Sequence, residues 1–273
     1  GGAGYAIEFA GPAIVALPVE SRLTLCNMAT ELSAFTGLIA PDEQVIDYCQ
    51  GRPFAPRGAA WEAAIRHWQT LQSDADAQFD SEHRIDIGSL KPQLTWGTSP
   101  QHCIDWDEEI PGAGEAPDEA TAASWQQAQA YMGVTAGHRL SDYPLDAAFI
   151  GSCTNSRLSD LRDAASYLTQ TGHRVAKGVK ALCVPGSGRV KRAAEAEGID
   201  AVFRQAGFEW REPGCSMCFF AGGESLGEGV RVASTTNRNF QGRQGLGVRT
   251  HLGSPLSVVA SACAGHLLAD MTP

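Results

Sequence analysis

The sequence has 273 residues, 43% of them hydrophobic and 19% charged, which is typical of a globular protein and excludes a disordered chain. Its formal net charge of -10 disfavours nucleic-acid binding, because phosphates repel an acidic surface. No apolar run approaches the ~20 residues that a membrane helix needs, and no signal peptide is visible. Eight cysteines spread along so long a chain favour a reducing cytoplasm over a disulfide framework.

Residues 1–145 mix helical patterns with long polar connections, and we expect them to form one partial α/β domain. Apolar residues at helical spacing predict the helices of this part. The predicted helices cover 18–39, 59–78 and 119–132, and one or two strands are predicted over 85–96.

Residues 146–273 repeat a strand, a Gly-rich turn and a helix, which predicts a parallel α/β sheet in a second domain. The predicted strands cover 147–150, 179–184, 208–211 and 230–234, and the helices 158–169, 190–197, 201–206 and 255–268. In such sheets ligands bind beyond the carboxyl ends of the strands. We therefore expect the turns that follow these strands to face one crevice.

Two of these turns carry cysteines. Cys215 and Cys218 are separated by two residues, a spacing that suits one metal or cluster but also a zinc site, a redox pair or two ordinary core thiols. Cys153, on the turn after the strand 147–150, adds a third thiol. Three cysteine ligands would leave one iron of a four-iron cluster open to substrate. The remaining cysteines are predicted to be buried thiols: Cys26, Cys49, Cys103, Cys183 and Cys263.

A locally basic segment follows the strand 230–234. Residues 234–251 contain no Asp or Glu, and Arg238 and Arg243 lie five positions apart on a Gly-containing loop. Two such guanidinium groups suit a dicarboxylate, although most arginines are surface residues. Asn27 and Glu31 share one face of a predicted helix, where the carboxylate is either a proton-handling group or part of an exposed polar face.

With these motifs the sequence resembles the aconitase superfamily, and most closely the large subunits of its 3-isopropylmalate dehydratase branch. The resemblance implies three-layer αβα domains with mostly parallel sheets. The matching segments occur in the order GGAGYAIEFAG (1–11), LTLCNMATE (23–31), LTWGTSP (94–100), FIGSCTNSRLSDLR (149–162), VPGSGRVKRAAEAEGID (184–200), AGFEWREPGCSMC (206–218) and STTNRNFQGRQGLGVRTHLGSP (234–255).

The resemblance also implies roles for individual residues. Cys153, Cys215 and Cys218 would be the ligands of a [4Fe-4S] cluster. The other implied site residues are Asn237 at the cluster, Arg238 and Arg243 at the substrate carboxylates, and Glu31 with its neighbour Asn27 near the open iron. The implied reaction is a hydro-lyase isomerisation of 2- and 3-isopropylmalate in leucine biosynthesis.

The resemblance covers only the later part of the large subunit. It implies as partners the missing N-terminal domain, a small subunit with the swivelling domain, and a small dicarboxylate substrate, so we expect no turnover by this chain alone. Residues 219–224 differ from the family pattern near the cluster. The alternative hypotheses are a related hydratase that acts on homoaconitate or citramalate/citraconate, and a non-catalytic aconitase-like protein that binds a partner or senses iron.

Overall fold

A computed structural model describes residues 1–151, 153–221 and 223–269. The chain divides into two compact units, Gly1–Ser89 and Leu90–Pro273. The domain boundary predicted at 145/146 lies inside the second unit, and the division into two family domains stays a prediction. Within the described ranges, no helix combines the length and the apolar character needed to cross a bilayer.

The first unit has two strands, which pair in parallel, and four short helices. They are β1 (Ala6–Glu8), α1 (Pro12–Ala16), α2 (Val19–Met28), β2 (Thr36–Leu38), α3 (Glu43–Cys49) and α4 (Ala59–Trp68). The helix predicted over 18–39 is wrong beyond α2, because the chain continues into a 3-10 helix, Ala29–Leu32, and leaves it through Ser33 in the left-handed region at φ 64°. The helix predicted over 59–78 ends at Trp68.

The second unit is built on a five-stranded parallel sheet, so the predicted α/β class is confirmed. In chain order its elements are β3 (Gln93–Thr95), β4 (Cys103–Asp105), α5 (Glu119–Met132), β5 (Ala147–Ile150), α6 (Leu158–Thr171), β6 (Lys180–Cys183), α7 (Gly188–Ala196), α8 (Ile199–Ala206), β7 (Glu209–Trp210), β8 (Arg231–Ser234), β9 (Arg249–Leu252) and α9 (Pro255–Ala264). Strands β3 and β4 form a separate antiparallel pair.

The strands of the large sheet lie in the order β7-β6-β5-β8-β9. From the central strand β5 the chain first adds strands on one side and then returns to add β8 and β9 on the other. In open parallel sheets such a reversal leaves a crevice at the carboxyl ends of the two diverging strands, which is where ligands bind. The loops after β5 and β8, with the loop after β7, therefore belong to the carboxyl edge.

The two faces of β5 explain how the sheet is packed. Ala148 and Ile150 belong to the main core, together with residues of α6, α8 and α9. Ala147 and Phe149 point to a smaller cluster, whose other members outside the strands come from loop segments. The full burial of all four β5 residues accounts for the unbroken apolar pattern by which the strand was predicted.

Local signals set the helix ends of this unit. Asp118 and Ser254 accept hydrogen bonds from the backbone at the start of α5 and α9, at 2.7 and 3.1 Å. Helix α9 ends at Ala264, four residues before the predicted end, because Gly265 adopts φ 78° and reverses the chain. Of the strands predicted over 85–96 only β3 is present, and β9 was not predicted.

Candidate functional site

The loop after β5 presents Cys153 as an exposed side chain. The preceding residue of the predicted turn, Ser152, lies outside the described residues. The buried Thr235 connects this loop to the end of β8, because its hydroxyl accepts from the Gly151 amide at 2.9 Å and donates to the Gly151 carbonyl at 2.8 Å. Asn155 donates to the Thr235 carbonyl at 3.3 Å. The turn with Cys153 is thus fixed next to the loop that carries the arginines.

The loop after β7 carries the other two candidate ligands, with Cys215 exposed and Cys218 half-buried. A 3-10 helix over Ser216–Cys218 forms this segment, and the Cys218 amide donates to the Cys215 carbonyl at 2.7 Å. Met217 is 1% exposed and packs against the sheet. Its carbonyl accepts from Gln244 at 2.6 Å, so the burial of one residue fixes the segment between the two thiols.

The loop after β8 carries the half-buried Asn237 and the exposed Arg238. Between the two candidate arginines lies Asn239, which is 1% exposed. Its amide donates to the Thr95 hydroxyl at 3.1 Å and to the Gly97 carbonyl at 2.6 Å. These bonds fix the loop to the segment that follows β3.

Arg243 lies where the loop after β8, the arginine loop, meets the loop after β7, the cysteine loop. Its Nη2 donates to the Cys218 Sγ over 3.6 Å, and its guanidinium carbon lies 5.5 Å from the Phe219 ring and 5.6 Å from the Phe240 ring. Its Nε is buried and finds no hydrogen-bond acceptor among the described residues. A buried donor without a partner is costly, so this nitrogen is available to an acceptor from a ligand.

The Cys218 thiol is subject to opposing electrostatic effects. Burial raises the pKa of the Cys218 thiol, the Arg243 guanidinium opposes this shift, and Cys153 and Cys215 raise the pKa further. The charged guanidinium beside Cys218 favours the thiolate form of that residue, which is the form that binds metals.

In the part of the chain that the structure describes, no group of three or more His, Cys, Asp or Glu side chains is arranged to hold a metal ion. The donor types nevertheless fit an iron–sulfur cluster, because cysteine thiols are the soft ligands that such clusters use. Arg243 adds a positive charge beside one of these thiols, that of Cys218. The prediction that the other five cysteines are buried thiols is confirmed only for Cys183, which is fully buried. Cys103 is exposed, and three are only half-buried: Cys26, Cys49 and Cys263.

A buried polar network supports the arginine loop, and no sequence pattern predicted it. The Arg231 Nη1 lies 2.7 Å from the His251 Nε2, and the His251 Nδ1 lies 2.7 Å from the Thr95 carbonyl oxygen. Burial, and secondarily the charge of Arg231, lower the pKa of His251 from 6.5 to about 3. The imidazole is therefore neutral, accepting from Arg231 through Nε2 and donating to Thr95 through Nδ1.

Glu31 and Asn27 belong to the first unit. Asn27 lies in the last turn of α2 and Glu31 in the 3-10 helix that follows, both half-buried. The Asn27 carbonyl accepts from the Thr30 hydroxyl at 2.9 Å, where the α-helix changes to the tighter helix. The single continuous helix on which both were predicted to lie is thus replaced by two segments.

Comparisons with known proteins identify the family. A model of the aconitase family (aconitate hydratase) matches residues 1–265, and the chain belongs to that family. The chain is 57% identical over 266 residues to a protein of Cupriavidus necator named 3-isopropylmalate dehydratase large subunit, covering 97% of this chain and 99% of that one. It is 53% identical over 265 residues to 3-isopropylmalate dehydratase large subunit 1 of Bradyrhizobium diazoefficiens, of which it spans only 55%.

A crystal structure of Thermococcus kodakaraensis aconitase X in its holo-form overlaps with 43% of this chain and 27% of its own, at 15% identity and a TM-score of 0.28. An overlap of this size supports no inference about the site.

Proposed function

We propose that this chain is the cluster-binding part of an iron–sulfur hydro-lyase that interconverts 2-isopropylmalate and 3-isopropylmalate in the leucine pathway. The observation that carries the proposal is the meeting of the two loops, in which Arg243 donates to the Cys218 sulfur at 3.6 Å. The names of the relatives support the choice of substrate within the aconitase family. The cytoplasm is the proposed location.

The proposed cofactor is a [4Fe-4S] cluster with Cys153, Cys215 and Cys218 as ligands and Asn237 in contact with it. When bound, such a cluster supplies an iron without a protein ligand, a Lewis acid for the substrate hydroxyl. The exposed Cys153 and Cys215 and the half-buried Cys218 are accessible to a cluster without unfolding of the sheet.

In this proposal Arg238 and Arg243 bind the two carboxylates of the substrate. A guanidinium group binds a carboxylate through two parallel hydrogen bonds and keeps its charge at any working pH. The buried Nε of Arg243 is one such donor. When the proton next to a carboxylate is removed, negative charge develops on that carboxylate, and a preorganised guanidinium lowers the energy of this state.

Elimination removes one proton and one hydroxide from the hydroxy-diacid, and these leave together as water. Addition of water to the resulting double bond, with the hydroxyl on the adjacent carbon, completes the isomerisation. We assign Glu31 to the donation of a proton to the leaving hydroxyl and Asn27 to the orientation of the substrate. Both assignments derive from the family resemblance and from the half-buried positions of these residues.

The proposed partners are a small subunit with the swivelling domain and the N-terminal part of the large subunit. The relative from Bradyrhizobium diazoefficiens is longer than the matched region, which supports the N-terminal part of the large subunit as a partner. Without them the chain is expected to bind the cluster but not to turn over substrate.

The proposal is tested by mixing the anaerobically reconstituted chain with a small subunit and the unmatched N-terminal part of a longer relative. Isomerisation of 2-isopropylmalate, lost in an Arg243→Lys variant that still binds the cluster, is the expected result. A well-formed cluster in a complete complex that isomerises only homoaconitate or citramalate would overturn the choice of substrate. A complete complex without any turnover would favour a binding or iron-sensing role.

A further inference from the structure

A group of charged side chains lies beside the cysteine loop and outside the site described above. Arg211 follows β7, and its guanidinium donates to both carboxylate oxygens of Glu224, at 2.6 and 3.0 Å. The same guanidinium donates to Glu209 at 2.8 Å, and Lys180 on β6 lies 3.2 Å from Glu224. Arg211 and Glu224 stand on opposite sides of the Cys215–Cys218 segment in the sequence, so their ion pair closes a loop around both thiols.

Arg211 also contacts the segment between the two cysteines. Its Nη1 lies 3.3 Å from the Ser216 Oγ, which accepts a hydrogen bond. Ser216 has φ 42° and, with Ser33, is one of two non-glycine residues at positive φ among those the structure describes. A serine in this region adopts an unfavourable backbone conformation, which persists only when its surroundings fix it.

The segment is therefore fixed from two sides. On the buried side Gln244 donates to the Met217 carbonyl, and on the solvent side Arg211 donates to Ser216. The contact on the solvent side is the weaker of the two, because the Arg211 side chain is 24% exposed and the Glu224 side chain 42% exposed. Exposed ion pairs are weakened by salt, whereas the buried amide contact is not.

We propose that Arg211 and Glu224 are positioning residues, which keep the cysteine loop closed and thereby set the lifetime of the bound cluster in solution. The role in cluster retention rests on the proposed function, but the closure of the loop does not. Neither residue contacts the substrate in this proposal. Because a bidentate ion pair with two additional partners is a small network, we expect its loss to open the loop about three- to tenfold more often.

The first test compares Glu224→Gln, nearly isosteric with the parent, and Glu197→Gln in the reconstituted full chain. Glu197 is a matched control, because it forms a bidentate pair with Arg162 at 2.6 and 2.7 Å away from the cysteine loop. The absorbance at about 400 nm should decay in air about three- to tenfold faster in Glu224→Gln only. High salt should accelerate the decay in the parent but not in Glu224→Gln. Equal decay in both variants would overturn the role in cluster retention.

The second test needs no cluster. Alkylation of the half-buried Cys218 in the metal-free chain, followed by mass spectrometry with Cys263 as internal reference, reports how often the loop opens. Glu224→Gln should accelerate Cys218 alkylation by the same factor, and Glu224→Asp should restore part of the protection. Unchanged alkylation would overturn the closure of the loop. A chain that takes up no iron but shows this acceleration would overturn the proposed function and leave loop closure supported.

Discussion

The neutral His251 makes the stability of the second unit depend on pH in a defined window. Its folded-state pKa of about 3 lies below the ordinary 6.5, so between these pH values the unfolded chain binds a proton that the folded chain excludes. Stability is therefore fully present above pH 6.5 and is lost as the pH falls through this window.

The size of the effect follows from the shift. Between pH 6.5 and pH 5 the imidazole is protonated in the unfolded chain but not in the folded chain. Over this range of about 1.5 pH units, each unit lowers the free energy of unfolding by about 1.4 kcal/mol. Acidification from pH 7 to pH 5 should thus cost about 2 kcal/mol through this residue alone. The carboxylates titrate mostly below this range, which makes the histidine separable from them.

Urea unfolding at pH 7 and pH 5 measures this cost. The variant His251→Gln retains an acceptor toward Arg231 and a donor toward the Thr95 carbonyl but does not titrate. It should lose about 2 kcal/mol less than the parent on acidification. The exposed His173 provides the control, since His173→Gln should behave as the parent does. Equal losses in the parent and His251→Gln would refute the neutral, buried imidazole.

Three further predictions concern the loops of the site. Gln244→Leu leaves the Met217 carbonyl without its donor and should lower the free energy of unfolding by about 1–3 kcal/mol in urea titrations, whereas an unchanged value would contradict the fixed cysteine loop. Thr235→Val breaks both hydrogen bonds to the loop of Cys153 and should destabilise the chain by a similar amount; faster alkylation of Cys153 is the accompanying readout. Arg243→Gln removes the group that lowers the Cys218 pKa, so the midpoint of Cys218 alkylation should move to higher pH, and an unmoved midpoint would contradict their contact.

The parallel sheet and its carboxyl edge were predictable, because buried parallel strands read as short apolar runs between glycine turns and helices. The predicted strand 147–150 and helix 119–132 agree with the structure to the residue. The sequence pattern predicted that the cysteine and arginine loops follow the ends of strands. It did not predict that the two loops meet through Arg243 and Cys218, because this contact depends on the order of the strands in the sheet.

The polar contacts between residues far apart in the sequence could not be predicted. His251 and Thr95 are 156 positions apart, and Asn239 and Thr95 are 144 apart. Strand β9 was missed for the same reason, since its arginine and histidine are polar and its burial depends on these partners. In the first unit no periodic apolar face marks the end of α2, so the helix was extended too far.

The central claim, three cysteine ligands on one iron–sulfur cluster, is tested most directly by metal analysis after anaerobic reconstitution. The parent chain should bind about four irons and absorb at about 400 nm. Each of Cys153→Ser, Cys215→Ser and Cys218→Ser should lower the iron content and the absorbance, while the exposed Cys103→Ser should leave both unchanged. Full iron loading in Cys153→Ser, or colourless zinc binding that needs only Cys215 and Cys218, would contradict the account.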